Sequence, residues 1–448
     1  MNAQEVGPGL PGTQSDPRLD EAAGGSAPWG HDVPPGSPET VPQSHEATPQ
    51  TSDNAPTTPA PPGRARVALV RCDGYDDAAV LEATSRGLAL LGGPGRFVHS
   101  GEQILLKPNL LAASTPEGQV CPHPTVFRAV ATLLAGAGAH LSWGDSPGFG
   151  RAAGVARKAG LVAVAEELGI PEADFATSRV VSFPEGHLIK QFTVAAGVLD
   201  ADGIVSICKL KTHGLTRMTG AVKNTFGCIP GLLKSEFHVR MGTSERLAQA
   251  IVDLNRLLRP RLYAMDAIVA MQGNGPRGGD PRPMHALLFS DDPVALDSVA
   301  CRMIDLDAAL VPTVTFGQEF GLGNASDIEI LGDPLDSFID RGFVVNRKPR
   351  STTGQINAVT GSLSRFLRNR LVPRPAIDPD LCTACGTCVA VCPVSPKAVE
   401  FASPAAHAQR RPPVHDYDLC IRCYCCQELC PERAIAITQP LLGRIIHR

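Results

Sequence analysis

No uncharged apolar run in this chain of 448 residues reaches the eighteen or so that a membrane-spanning helix needs. The nearest, AVATLLAGAGAHLSW at 129–143, is shorter and is broken by glycine and histidine. Excess positive charge is also missing. A formal net charge of −4 gives no overall field for a nucleic acid or an anionic membrane surface, so only a local basic pocket remains as an anion site. The start, MNAQEVGPGLPGTQSDPRLD, has no charged leader, apolar stretch or twin arginine, which predicts a cytoplasmic protein. Repeats of solenoid length do not occur.

Cysteine is plentiful, with 14 in the chain. Where thiols stay reduced, such usage points to metal ligation rather than disulfides. Cys72, Cys121, Cys208, Cys228 and Cys301 are scattered and read as small buried apolar residues, whereas the rest fall between Cys382 and Cys430. There one pattern stands twice, CTACGTCVAVCP at 382–393 and CIRCYCCQELCP at 420–431, each C-x2-C-x2-C-x3-C-P. Three closely spaced thiolates wrap one face of a 4Fe-4S cubane, and the fourth reaches across to the other cluster. The spacing therefore predicts two 4Fe-4S clusters, one held by Cys382, Cys385, Cys388 and Cys430, the other by Cys420, Cys423, Cys426 and Cys392. Zinc has no use for a third closely spaced cysteine followed by C-P. Cys425 lies outside the register and reads as a packed or solvent-facing neighbour.

Residues 1–63 are rich in Pro, Gly, Ser and Thr and too poor in apolar residues to fill a helix or strand face, which predicts a disordered tail. From Arg64 to about 345, apolar strands alternate with amphipathic helices: strands at 65–72, 102–111, 140–148, 178–183, 189–194, 203–208 and 261–265, helices at 76–91, 124–139, 150–168 and 243–258, and a strand-to-helix pair at 285–304. Short connections between alternating elements imply an α/β fold with a mainly parallel sheet and flanking helices. A polar linker is predicted over 346–375, ahead of a small α+β ferredoxin-type domain of the bacterial two-cluster kind over 376–440.

Ligands of open parallel sheets sit at strand ends, and several strand ends here carry polar residues: KPN (Lys107, Asn109), GDSPG (Asp145, Ser146), CKLKTHGLT (Lys209, Lys211, His213) and TGAVKNTFG (Lys223, Asn224). Lys209 and Lys211, two apart on an extended chain, project to one side. With Lys107 and Lys223 they form a candidate phosphate or carboxylate site, against the plainer reading of a solvated lysine face. His213 is a candidate for proton transfer, or else structural; Asp145 positions a substrate or caps the next helix. Asp292, before Pro293, reads as a helix N-cap. The GNGPRGG stretch reads as the wall or lid of a pocket.

KPNL, GDSPG, CKLKTHGLTRMTGAVKNTFGCIPG, DAIVAMQGNGP and SDDPVALD, in that order, resemble the family called domain of unknown function 362, and CIRCYCCQELCP resembles the ferredoxin half often fused to it. The resemblance spans about residues 65–440. It implies an iron–sulfur centre protein and adds no established reaction. Three functions follow as expectations. The first is a redox protein, an iron–sulfur oxidoreductase if it is an enzyme, passing single electrons to or from a small anionic ligand in the α/β domain. The second is an electron-transfer subunit whose α/β domain only docks a redox partner protein. The third is a non-redox enzyme with structural or oxygen-sensing clusters.

Overall fold

The computed structural model describes residues 64–348 and 368–440, apart from Phe149 and Leu232. The tail expected over 1–63 and most of the linker expected over 346–375 lie outside the described residues. The described strands of the larger body are β1 (Ala65–Arg71), β2 (Gln103–Pro108), β3 (His140–Trp143), β4 (Ser178–Ser182), β5 (Gln191–Ala195), β6 (Gly203–His213), β7 (Arg217–Thr219), β8 (Leu262–Gln272), β9 (Asp280–Ser290) and β10 (Ile328–Gly332). Eight of them form one sheet in the order β10-β1-β9-β8-β6-β2-β3, with β7 paired to β6; β4 and β5 form a separate hairpin. The run β8-β6-β2-β3 is parallel, as is β1 with β10, while β9 runs against both neighbours. The fold is thus α/β with a large mixed, mostly parallel sheet.

Strand β6 is buried at every position, as befits a central strand covered on both faces. On one face the Pro124–Gly136 helix packs Val126, Phe127, Val130 and Leu134 against Ile104, Leu106, Val205 and Ile207. On the other, the Ser244–Leu258 helix packs Leu247, Ile251 and Leu254 in a core with Leu105, Ile204, Cys208 and Leu210. The chain leaves β2 over one face to reach β3, then returns to the far side of β2 and crosses the other face between β6 and β8. This reversal opens a crevice at the carboxyl ends of β2 and β6.

Two details depart from the sequence expectation. The helix expected over 150–168 is two, Ala152–Lys158 and Leu161–Glu167, because Gly160 takes a left-handed conformation with φ of 80°. Strands β6 and β8 run well past their apolar halves, since partners on both sides satisfy their backbones. GNGPRGG spells G-x-G-x-x-G, but it is the turn between antiparallel β8 and β9 and opens no helix, so it lacks the setting of a dinucleotide site. Asp292 caps the Pro293–Met303 helix, accepting from the amides of Val294 and Ala295.

The small body pairs Arg374–Ile377 with Ile435–Thr438 and Val399–Glu400 with Val414–His415, both antiparallel, around the short helices Thr387–Ala390 and Cys425–Leu429. The described residues belong to one compact unit, and the seam between the bodies is hydrogen-bonded. Gln427 Nε2 donates to Asn274 Oδ1 at 2.8 Å and to Gly275 O at 3.1 Å, Asn274 Nδ2 to Ile435 O at 3.0 Å, and Arg277 to Leu429 O at 2.8 Å. The GNGPRGG turn is therefore a docking surface for the small body, and Pro276 lines the cleft described next.

Candidate functional site

Each cysteine run curls through left-handed residues at matching positions, Ala384 and Gly386 in the first, Arg422 and Tyr424 in the second. Alternating left-handed residues keep the chain from becoming helix or strand and bend it into a bowl. Two cavities result. Cys382, Cys385, Cys388 and Cys430 line one with about 320 Å³ of empty space; Cys392, Cys420, Cys423 and Cys426 line the other, with about 300 Å³. Three thiols of one run and the last of the other thus surround each. Among the described residues no three Cys, His, Asp or Glu converge closely enough for a single metal ion, which zinc requires, with every sulfur about 2.3 Å from one atom. Soft thiolates spread round a cavity fit an iron–sulfur cluster. Cys385 is exposed, while Cys392, Cys420 and Cys426 are buried. His415 Nε2 stands 3.6 Å from Cys426 Sγ.

A third, larger cleft of about 750 Å³, open to solvent, lies past the carboxyl ends of β2, β3 and β6. Lys107, Asp145, Lys211, His213 and Lys223 all line it, with Asn109, Ser146 and Asn224. The small body contributes Cys425, Glu428 and Leu429 to the wall, on the helix that also carries Cys426. One short helix therefore lines a cysteine cavity and the lysine cleft together.

At the floor, Lys107 Nζ pairs with Asp145 Oδ1 at 2.8 Å and donates to Asn224 Oδ1 at 3.0 Å. Asp145 also accepts from the amides of Leu110 at 2.6 Å and Ser146 at 2.9 Å, so it organises the turns after β2 and β3 rather than capping a helix. A side chain at Gly227 would collide with the Asp145 carboxylate, which explains the glycine there. Lys211 Nζ donates to Asn109 Oδ1 at 2.6 Å and Val120 O at 2.7 Å, both neutral, and burial lowers its pKa to about 7. Lys223 lies with Nζ 5.0 Å from the Phe226 ring centre and makes no hydrogen bond or ion pair among the described residues; burial lowers its pKa. His213 Nδ1 accepts from the Leu215 amide at 3.1 Å, which leaves the proton on Nε2, 3.2 Å from Glu428 Oε1. That approach is within ion-pair range but too bent for a hydrogen bond, since Glu428 Oε1 has no donor. Burial holds the His213 pKa well below the usual range, so the ring is neutral at pH 7, and burial raises that of Glu428 against the pull of Lys223 and Lys211.

Lys209 departs from the anion-site expectation. It does not line the cleft: its Nζ lies 2.8 Å from Asp266 Oδ2 and 2.9 Å from the Tyr75 hydroxyl, and both members of the ion pair are 0% exposed. Asp266 is its direct partner across the β6–β8 ladder, and the register shifts between Lys209 and Lys211. Cys425 is buried, not solvent-facing, and hydrogen-bonds Cys423.

Sequence reasoning missed Lys234, His238, Thr219 and Glu428, all of which line the cleft. Lys234 Nζ donates to Ser146 Oγ and Ser146 O at 2.7 Å each and to Ile229 O at 3.1 Å; burial lowers its pKa to about 8 and that of His238 to about 3. Lys234 and His238 stand four apart on the Leu233–Met241 helix, a same-face spacing that could have flagged them. Glu428 carries no such signal.

The model of the family described as domain of unknown function 362 matches residues 104–302, and that of the 4Fe-4S binding domain matches residues 375–396. The chain is 37% identical over 277 residues to a thylakoid-associated protein of Synechocystis sp., covering 61% of this chain and 86% of that protein. It is also similar, at 12% identity and a TM-score of 0.31, to the lactate racemase apoprotein from Thermoanaerobacterium thermosaccharolyticum, over 52% of this chain and 55% of that one, so the match spans just over half that protein's length.

Proposed function

The chain belongs to the family of the domain of unknown function 362, and on that premise we propose that it is an oxidoreductase or electron-transfer protein that binds two 4Fe-4S clusters and passes single electrons between them and an anionic ligand in the lysine cleft. That it is an iron–sulfur protein rests on the match to the 4Fe-4S binding domain. The number of clusters is inferred from the two four-cysteine cavities. A bound cluster supplies one-electron chemistry; the chain supplies the geometry. The observation that carries the proposal is the Cys425–Leu429 helix, whose Cys426 lines the second cavity while Cys425, Glu428 and Leu429 line the cleft.

Three lysines with neutral partners or none attract an anion into the cleft, where low dielectric strengthens each contact. Lys107 and Asp145 hold the floor in shape. His213, neutral and with its proton on the nitrogen facing Glu428, is the group proposed to hand a proton to a ligand as it is reduced, or to take one as it is oxidised. Exposed Cys385 offers the first cavity to a redox partner protein, while Cys426 of the second cavity shares its short helix with the cleft wall. The proposal includes a cytoplasmic location, in keeping with thiols kept reduced. Among the described residues no helix is long and apolar enough to cross a membrane.

Anaerobically reconstituted, reduced protein mixed with a panel of anionic metabolites should lose the visible absorbance change of the reduced clusters with at least one of them, and Lys223→Met should slow that reoxidation. Inertness across the panel, with both clusters present by iron and sulfide analysis, would count against the proposal.

A further inference from the structure

Resting on that reading, the charge balance of the cleft narrows the ligand. Four lysines line it, Lys107, Lys211, Lys223 and Lys234, against two carboxylates, Asp145 and Glu428, while His213 and His238 are neutral. Lys107 is matched by Asp145. Of the other three, Lys211 and Lys234 donate only to amide, carbonyl and hydroxyl oxygens, and Lys223 to nothing among the described residues. When all three are protonated they face one carboxylate among the described side chains, an excess of two positive charges. Uncompensated charge in a water-poor site is costly, and proteins keep it where a ligand neutralises it. Two further groups point to an occupant. Thr219 Oγ1 and Glu428 Oε1 are buried, line the cleft and have no hydrogen-bond partner, although buried polar atoms ordinarily have one.

We propose that the cleft binds a small dianion, with two carboxylates or a doubly ionised phosphate, whose charges are taken by Lys211, Lys223 and Lys234; a hydroxyl, where the dianion carries one, donates to Glu428. The lowered pKa values of Lys211, about 7, and Lys234, about 8, are those of cations awaiting a counter-ion, so a bound dianion recharges them. The ionisable neighbours of Lys211 are Cys121, Lys209, Lys223, Asp145, His213 and Glu428; those of Lys234 are Asp145, Lys107, Lys223 and Cys228. Burial raises the pKa of Cys121 to about 11 and of Cys228 to about 12, which leaves both thiols protonated and the local balance positive.

The test is calorimetric titration of the oxidised, reconstituted full chain at pH 8.5 with succinate, its monoamide succinamate and inorganic phosphate, in buffers of different ionisation enthalpy. Succinate or phosphate should bind at least tenfold more tightly than succinamate and take up between about one and two protons per ligand bound. Whichever of the two binds tells dicarboxylate from phosphate. Lys223→Met should lose at least tenfold in that affinity, and Lys223→Arg should keep most of it. Succinamate binding as tightly as both dianions, or no binding in any arm, overturns the inference. Tight dianion binding supports it even if reduced protein is never reoxidised, a result that would sink the electron-transfer reading alone.

Discussion

Replacing Lys209 and Lys223 separately by methionine should give opposite results, though both are lysines of one sequence motif. Lys209→Met removes one member of a 2.8 Å ion pair in which neither side chain is exposed to water. Breaking such a pair costs about 3–5 kcal/mol because a buried charge is left behind. Asp266 would keep donors from the Tyr75 hydroxyl at 3.0 Å, the His123 amide at 2.9 Å and the Ile268 amide at 3.2 Å, which puts the loss near the lower end, about 3 kcal/mol. At roughly 2–4 °C per kcal/mol, the thermal midpoint should fall by about 6–12 °C. Adding Asp266→Asn removes the stranded charge while keeping an acceptor, and should recover most of the loss. Lys223→Met takes away a buried cation with no carboxylate in ion-pair range among the described residues, so its midpoint should hold or rise while anion affinity drops. Differential scanning fluorimetry and calorimetric titration on the same preparations read both quantities. A Lys209→Met protein of unchanged midpoint that no longer binds anions would refute this division of roles.

Other outcomes can be checked on the same material. Lys211 and Lys234 have folded pKa values of about 7 and about 8 against an ordinary 10.5, so between those values and 10.5 the unfolded chain binds more protons; stability of the ligand-free protein should rise with pH across that window, while dianion affinity falls, by up to about tenfold per pH unit per lysine. Cys425→Ser should leave iron and acid-labile sulfide content unchanged, because Cys425 stands in neither cysteine cavity; loss of half the iron would make it a ligand. His415→Leu removes the ring 3.6 Å from Cys426 Sγ and should make one cluster's midpoint potential more negative in an EPR-monitored redox titration, leaving the other in place; equal shifts of both would contradict the assignment of cavities.

The alternation of strands and helices was legible because each crossover helix carries its own periodic apolar face, as Val126, Phe127, Val130 and Leu134 do. Strand ends gave Lys107, Asp145, Lys211 and His213 in the same way: where an apolar run stops, the next side chains stand at the rim of the sheet. Spacing alone could not separate Lys209 from Lys211, since what distinguishes them is Asp266 on the adjacent strand, a partner 57 residues away. Glu428 was invisible for a deeper reason. Its position inside a cysteine run suggests only cluster binding, and its place in the cleft depends on how the Cys425–Leu429 helix seats against the turn holding Asn274 and Gly275.

That seating bears on how the protein can be dissected. A chain cut ahead of Cys420 would not yield a bare α/β domain with its pocket intact. It would strip away one side of the pocket, flood the lysines with water and turn a discriminating enclosure into an ordinary basic surface. Ligand screens on a shortened chain would then report on a shape that the whole protein never presents.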